Sequence, residues 1–302
     1  MIKIKVPATS ANIGPGFDTL GVALNLFNTI TVEKTESTQR SVLWKNGVIE
    51  VADEENYVKV TLDQILAQYG FDQIGYKLII GDCQIPISRG LGSSAASIIA
   101  GIYAANYLMD FKLSKEDIIQ HATEIEGHPD NVVPAILGGM VISCIDEASH
   151  KIIHSTVQFP DELHFKVFIP DFRVSTKDAR KVLPKEYSLA QCVNNISRVS
   201  MLINALNTKD YDLLRFSFKD EIHEPYRIKL IHQADLIMEK FKSLNTLGAF
   251  ISGAGPTLIS LVKADDTEFD AIINPFLETL QHTWTLKSLT VNNNGTTYEI
   301  LE

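Results

Sequence analysis

Cysteine is scarce in this chain, with three residues among 302, and Cys83, Cys144 and Cys192 have no CxxC or CxxH neighbours. That spacing excludes a disulfide framework and a zinc site and leaves buried free thiols as the expectation. Long apolar runs are missing as well. No stretch approaches the roughly 18 apolar residues of a membrane span, and the opening residues 1–17 lack the uninterrupted apolar core of a signal peptide. A cytoplasmic protein with no membrane partner is expected. Positive charge is in deficit, with 27 Lys+Arg against 37 Asp+Glu, a formal net charge of -10 and no basic block. This balance argues against a nucleic-acid partner and leaves room only for a small local basic pocket.

What is present is ordinary core-forming material. Hydrophobic residues make up 45% of the chain, enough to exclude disorder for most of it, and a length of about 150 residues per domain suggests two domains. Residues 2–6 alternate Ile/Lys/Ile/Lys/Val, which predicts a half-buried strand, and the turn-forming residues 7–16 predict a long loop after it. Further strands are predicted at 29–34, 41–44, 76–80 and 140–144. Helical spacing of Val58, Leu62, Ile65, Leu66 and Tyr69 marks a helix over 57–69. Ser94 to Met109 is nearly all small or apolar, so this helix should be buried on most sides. Ser114 and Asp117 form a capping box for the next.

The charged stretch Asp146 to Lys151 reads as a junction between domains 1–150 and 151–302. Beyond it, a strand is predicted at 164–169, helices near 176–182, 188–207, 210–220 and 228–243, and strands near 247–252, 257–262 and 284–291. Mixing without strict strand–helix alternation favours the α+β class.

The string Pro86-Ile87-Ser88-Arg89-Gly90-Leu91-Gly92-Ser93-Ser94-Ala95-Ala96 feeds directly into the apolar helix. A glycine- and serine-rich helix start offers unpaired N–H groups and the positive end of the helix dipole, a favourable place for phosphate. No Lys follows Gly92, so a Walker A loop is excluded. The spacing Gly90-x-Gly92-x-x-Ala95 formally matches a dinucleotide fingerprint, but Pro86 and the distance from the preceding strand argue against it. A helix-opening loop with small residues for packing is the plain alternative.

Three strings carry a resemblance. They are Pro7-Ala-Thr-Ser-Ala-Asn12-Ile-Gly-Pro-Gly-Phe-Asp18-Thr-Leu-Gly21, the 86–96 loop, and Gly248-Ala-Phe-Ile-Ser-Gly253-Ala-Gly255-Pro256-Thr257. In this order they resemble the GHMP small-molecule kinases. The first string, together with Glu126-Gly-His128-Pro-Asp130-Asn131-Val-Val-Pro134, is similar to the homoserine kinase branch of that superfamily. Ile87 stands where Leu is usual. The resemblance implies a two-domain fold, with an N-terminal domain of the ribosomal protein S5 domain 2 type and a ferredoxin-like C-terminal domain, and an active site between them. It further implies ATP-dependent phosphorylation of the side-chain hydroxyl of L-homoserine, a step of threonine biosynthesis. Dimerisation is compatible with the family but is not legible in these residues.

By the same resemblance, residues 86–96 wrap the ATP triphosphate, Ser94 and Glu124 hold Mg²⁺, and Asn56 lies near the adenine or ribose. Arg180 and Arg227 bind the acceptor carboxylate, for which a guanidinium fork is well matched. Asn12 and Asp18 meet its amino group. His128 and Asn131 face the hydroxyl, and Thr176 and Gly253 finish the pocket. Asn131, Asp18 and Asp130 are the candidate catalytic residues; Asn131 cannot usefully accept a proton, so orientation without a strong general base is the expectation, with Asp130 as the rival base. Plain readings accompany each residue. Asp18 and Asn12 suit turns, lone arginines are usually solvated, and Glu124 and Glu126, two apart on a helix, should not both point inward. Two other functions fit the strings: a GHMP kinase for another acceptor such as mevalonate, and a non-catalytic sensor of a small molecule.

Overall fold

The computed structural model describes residues 1–45 and 51–301. Its first half runs β1 (Ile2–Ala11), β2 (Leu20–Thr35), β3 (Arg40–Trp44), α1 (Tyr57–Gln68), β4 (Gly75–Cys83), α2 (Ser93–Leu108), α3 (Lys115–Glu126), α4 (Pro129–Leu137), β5 (Met140–Ile145) and β6 (Ile152–Val157). The second half runs β7 (Leu163–Pro170), α5 (Thr176–Lys181), α6 (Leu189–Thr208), α7 (Tyr211–Ser217), α8 (Glu224–Arg227), a 3₁₀ turn at Ile228–Leu230, α9 (Ala234–Lys242), β8 (Gly248–Ile251), β9 (Leu258–Lys263), α10 (Phe269–Leu277), β10 (Trp284–Leu289) and β11 (Thr297–Ile300).

Strand β1 begins with the alternation seen in the sequence, Ile2, Ile4 and Val6 inward and Lys3 and Lys5 outward. It does not stop at residue 6. Pro7 falls at a register shift against β2, a bulge where a missing N–H costs least, and Ala8 to Ala11 continue the pairing, buried throughout. The loop therefore begins only at Asn12. The first sheet runs β11-β1-β2-β4-β3, with β5 paired to the start of β2 and β6 to β5. Helix α2 is buried on nearly every side, as its small and apolar composition requires. Each fully buried Ile or Leu in it contributes roughly 2 kcal/mol by removal from water. Ser114 and Asp117 form both bonds of the capping box and open α3, a contribution of about 1 kcal/mol.

The second sheet runs β10-β7-β9-β8, all antiparallel. Numbered within this half, that order is 4-1-3-2 with helices after the first and third strands, the ferredoxin-like arrangement. Several expectations need correction. Asp146 to Lys151 is the turn of the β5–β6 hairpin, closed by Asp146 N–H donating to the Lys151 carbonyl at 2.9 Å, so it is no junction at residue 150. A charged run at a hairpin tip and one in a linker are both solvated and look alike in sequence. The chain crosses to the second sheet after Val157 and returns at its end, where β11 pairs with β1. The helix expected over 228–243 is instead the 3₁₀ turn at Ile228–Leu230 followed by α9, the two separated by Gln233 in the left-handed region at φ 60°. Cys83 and Cys144 are exposed and Cys192 is partly so, against the expectation of buried thiols. Among the described residues no helix is long and apolar enough to cross a membrane.

Candidate active site

The three sequence strings meet in space through backbone bonds. Thr9 N–H donates to the Leu91 carbonyl at 3.2 Å, Gly253 N–H to Ala11 at 3.1 Å, and Thr257 N–H to Arg89 at 3.3 Å. Glycine is required twice in the middle loop. Gly90 has φ 75°, and a Cβ there would lie 2.3 Å from the Ser252 carbonyl oxygen; Gly92 has φ 69°, and its Cβ would lie 2.0 Å from Thr9 Oγ1. Ser252 Oγ donates to the Gly90 carbonyl at 2.6 Å, and Arg89 reaches the other sheet, donating from Nε to Pro170 O at 2.9 Å and from Nη2 to Asp171 O at 2.7 Å. The loop is thus tied to both sheets. It delivers the chain to Gly92, where α2 opens with no side chain capping its first-turn N–H groups.

Beside this helix start lies a cavity of about 120 Å³, lined by Ser88, Gly90, Gly92, Ser93 and Ser94 on one side and by Asn12, Asp18, His128, Asp130, Asn131, Thr176, Arg180, Arg227 and Gly253 on the other. Ala11, Glu126 and Ala254 complete the lining. Pro86, Ile87, Arg89, Leu91, Ala95 and Ala96 are not part of the lining; Ile87 is exposed, while Leu91, Ala95 and Ala96 are core. Asn56 lies apart as the N-cap of α1, its Oδ1 accepting from Lys59 N–H at 3.3 Å and its buried Nδ2 without a partner among the described residues.

The side of the cavity opposite the glycine loop carries two left-handed residues, Asn12 and Asp18. Asn12 (φ 70°) donates from Nδ2 to the Gly253 carbonyl at 2.8 Å and accepts Asp18 N–H on Oδ1 at 3.0 Å, so it turns the chain and holds the site together. Asp18 (φ 52°) accepts both ends of the Arg180 guanidinium at 3.0 Å, a fork-to-fork pair at the cavity edge. Arg227 is different. It is only 2% exposed, donates to the carbonyls of Gly253 (3.0 Å) and Ala179 (3.3 Å), and has no carboxylate within ion-pair distance among the described residues. Burial, and then the charge of Arg180, draw its pKa below the usual arginine range. A buried guanidinium facing a cavity without a counter-ion calls for an anionic ligand.

Helix α4 begins at Pro129, with His128 as N-cap and Asp130 and Asn131 in its first turn. Asp130 is buried, and its Oδ1 accepts from His128 Nδ1 at 2.7 Å and Asn131 Nδ2 at 3.2 Å. Asn131 Oδ1 accepts Thr9 Oγ1 at 2.7 Å. Burial pulls the His128 imidazole toward neutrality, but the hydrogen bond and charge of Asp130, with Glu126 behind them, prevail and raise its pKa.

One expected site residue is misplaced. Glu124 is exposed, bonded to Gln120 Nε2 at 2.9 Å and turned away from the cavity. Glu126 faces it instead, accepting Ser94 Oγ at 2.8 Å. Burial raises the Glu126 carboxyl above its ordinary pKa, with the Ser94 bond acting against that rise. Two residues of spacing turn a helix by about 200°, so only one of the pair can face α2, and the register of α3 decides which. Thr9, too, gave no signal in the sequence; it lies within a string read as loop.

Models of the GHMP kinase N-terminal and C-terminal domains match residues 56–139 and 202–280. The chain is 43% identical over 295 residues to a homoserine kinase of Clostridium novyi, an alignment covering 98% of each chain. The crystal structure of homoserine kinase from Cytophaga hutchinsonii matches with a TM-score of 0.86 at 29% identity, covering 99% of this chain and 97% of that one. A mevalonate kinase crystal structure, at 17% identity and a TM-score of 0.68 over 97% of this chain and 99% of its own, shares the fold.

Proposed function

We propose that this chain, which belongs to the homoserine kinases of the GHMP kinase family, transfers the γ-phosphoryl group of ATP to the side-chain hydroxyl of L-homoserine. The products are ADP and O-phospho-L-homoserine, an intermediate of threonine synthesis, and the cytoplasm is the setting the reading implies. The observation that carries it is one cavity that joins an uncapped helix start on a glycine loop to a buried guanidinium with no counter-ion among the described residues. The first suits a triphosphate and the second a carboxylate.

In this reading the N–H groups at the start of α2 and the hydroxyl groups of Ser88 and Ser93 hold the phosphates. The buried Nδ2 of Asn56, which has no partner among the described residues, is available to the nucleoside end. Ser94 and Glu126 supply a hydroxyl and a carboxylate, hard oxygen donors that suit Mg²⁺, with phosphate and water completing its shell. A bound Mg²⁺ neutralises charge on the phosphates. Arg227 takes the acceptor carboxylate, and the Asp18–Arg180 pair forms the rest of a zwitterion receptor: an incoming ammonium replaces Arg180 on Asp18 while the carboxylate engages Arg180. Mevalonate has no ammonium to make that exchange, so the pair favours an amino acid.

Asn131 orients the acceptor hydroxyl, itself fixed between Thr9 and Asp130. The hydroxyl oxygen bonds to the γ-phosphorus as the bond to the β–γ bridging oxygen breaks, and its proton passes to a transferred phosphoryl oxygen or to water. Positioning and charge neutralisation do most of the catalysis. A coupled assay of ADP release, with ATP, Mg²⁺ and a panel of L-homoserine, D-homoserine, L-serine, L-threonine and mevalonate, tests the reading. L-homoserine should be preferred, with O-phosphohomoserine identified by mass spectrometry. Turnover of mevalonate alone would overturn the acceptor, and ATP binding without turnover of any acceptor would favour a sensor.

A further inference from the structure

Behind the acceptor pocket lies a buried polar cluster that the reaction as drawn does not use. His223, the residue before α8, is fully buried. Its Nε2 lies 2.9 Å from the carbonyl oxygen of Gly14, and its Nδ1 lies 3.4 Å from Nη1 of Arg227, at the long end of hydrogen-bond range. A carbonyl can only accept, so Nε2 must carry the proton. That leaves Nδ1 as the bare nitrogen facing a guanidinium that can only donate. The two contacts together select one neutral tautomer. Burial favours the same neutral form, and the neighbouring Arg227 charge acts with it against the pull of Asp220.

Asp220 does not take the imidazole for itself. Its Oδ2 lies 3.8 Å from Nε2 and accepts the N–H groups of Ile222, His223 and Glu224 at 3.2, 2.7 and 2.8 Å, while Oδ1 accepts Asn195 Nδ2 at 2.6 Å. The aspartate fixes the backbone of His223, and the imidazole remains free to bridge Gly14 and Arg227. The ring also stacks on Phe17, with centroids 5.3 Å apart and planes at 27°; Arg227 lies 5.1 Å from that same phenyl ring. Gly14 and Phe17 belong to the loop that carries Asn12 and Asp18. His223 therefore touches, at once, the loop that carries Asn12 and Asp18 and the guanidinium assigned to the carboxylate.

We infer that His223 is a positioning residue for the amino-acid acceptor, setting the orientation of Arg227 relative to the 12–18 loop. This rests on the acceptor assignment above. His223→Phe keeps the ring and its stacking on Phe17 but removes both hydrogen bonds. It should raise KM for L-homoserine about tenfold, as expected for loss of a hydrogen bond to a charged group, with KM for ATP and kcat changed less than about twofold. His223→Gln can donate to Gly14 and offer an oxygen to Arg227, and should restore most of the lost affinity. An unchanged KM for L-homoserine in His223→Phe, or an equal loss for both substrates, overturns the inference.

Nitrogen-15 NMR of labelled histidine in the full chain, with the resonance assigned by His223→Gln, tests it even where His223→Phe does not fold. A neutral ring protonated on Nε2 is expected at neutral pH, and a ring protonated on Nδ1 overturns the inference. Failure of the wild-type enzyme to phosphorylate L-homoserine would sink the acceptor assignment instead. The tautomer would then still decide the contact between His223 and Arg227.

Discussion

Single residues here carry opposing demands, and Glu126 shows this most directly. Its carboxyl is held near Ser94 in surroundings that disfavour its charge. A carboxyl whose folded pKa is raised contributes stability below its unfolded pKa, and that contribution is lost as the pH rises through the folded value. At neutral pH Glu126 therefore costs the fold something that a neutral side chain would not. Glu126→Gln should raise the melting temperature at pH 7 while lowering kcat at least about 100-fold by removing the carboxylate proposed for Mg²⁺, whereas the exposed Glu124→Gln should leave both near wild type. Scanning calorimetry beside the ADP assay separates the two; a Glu124→Gln enzyme as weak as Glu126→Gln would restore the original assignment.

Asp130 poses the question of a base. Its Oδ1 is already shared by His128 and Asn131, which makes it an orienting group. Asp130→Asn should lower kcat about tenfold, well short of the roughly 10⁴-fold that loss of a true general base can reach. Stopped-assay kinetics on folded variant decide between them. His128 gives the matching pH signature. Its pKa is raised above the ordinary 6.5, so the pair with Asp130 stabilises fully below that value and loses its effect as the pH rises through the folded one. The melting-temperature deficit of His128→Asn should accordingly be largest near pH 6 and shrink on the alkaline side of neutrality; a deficit independent of pH would assign the residue to packing alone.

At the scale of elements, the 86–96 loop is the part most dependent on backbone shape. An alanine Cβ at Gly90 would strike the Ser252 carbonyl, and φ 75° is itself unfavourable for it. Gly90→Ala should weaken ATP binding more than about tenfold and lower the melting temperature by several degrees. Binding measured by calorimetry with a non-hydrolysable ATP analogue checks this, and near-normal affinity would show that the loop does not approach the phosphates.

The same loop marks how much could be seen in sequence. Elements with a strong period or a chemical stop were legible: α1 by its apolar spacing, α3 by its capping box, and β7 and β9 by apolar runs. Residues 7–11 were not, because Pro7, Thr9 and Ser10 are turn formers by type and form a strand only where a bulge and cover on both faces accommodate them. Strand β11 is exposed along its four residues, too short a run for the alternation of Tyr298 and Ile300 to mark it. Most of the site was legible as motif, yet the choice of Glu126 over Glu124 depends on how α3 is rotated against α2, and neither helix encodes that alone.

Across the whole molecule, the two sheets do not behave as separate cores. The larger apolar cluster runs from Ile4, Leu20 and Ile99 of the first half through Phe165, Val167 and Leu202 to Phe250 and Leu261 of the second. The chain also returns to the first sheet through β11, and the cavity draws on the ends of β1 and α4 as well as on α5 and α8. Separating the halves would expose that shared cluster and break the bonds from Arg89 to Pro170 and Asp171. Unfolding should therefore be a single calorimetric transition. A ligand that binds a site made by both halves must stabilise both, by about 2.7 kcal/mol at a free concentration 100 times its Kd. Adding an ATP analogue with L-homoserine should move that one transition upward without splitting it. Two transitions, with only the first shifted by nucleotide, would mean that the first half folds and binds on its own and that the shared cluster is not what couples the site to the fold.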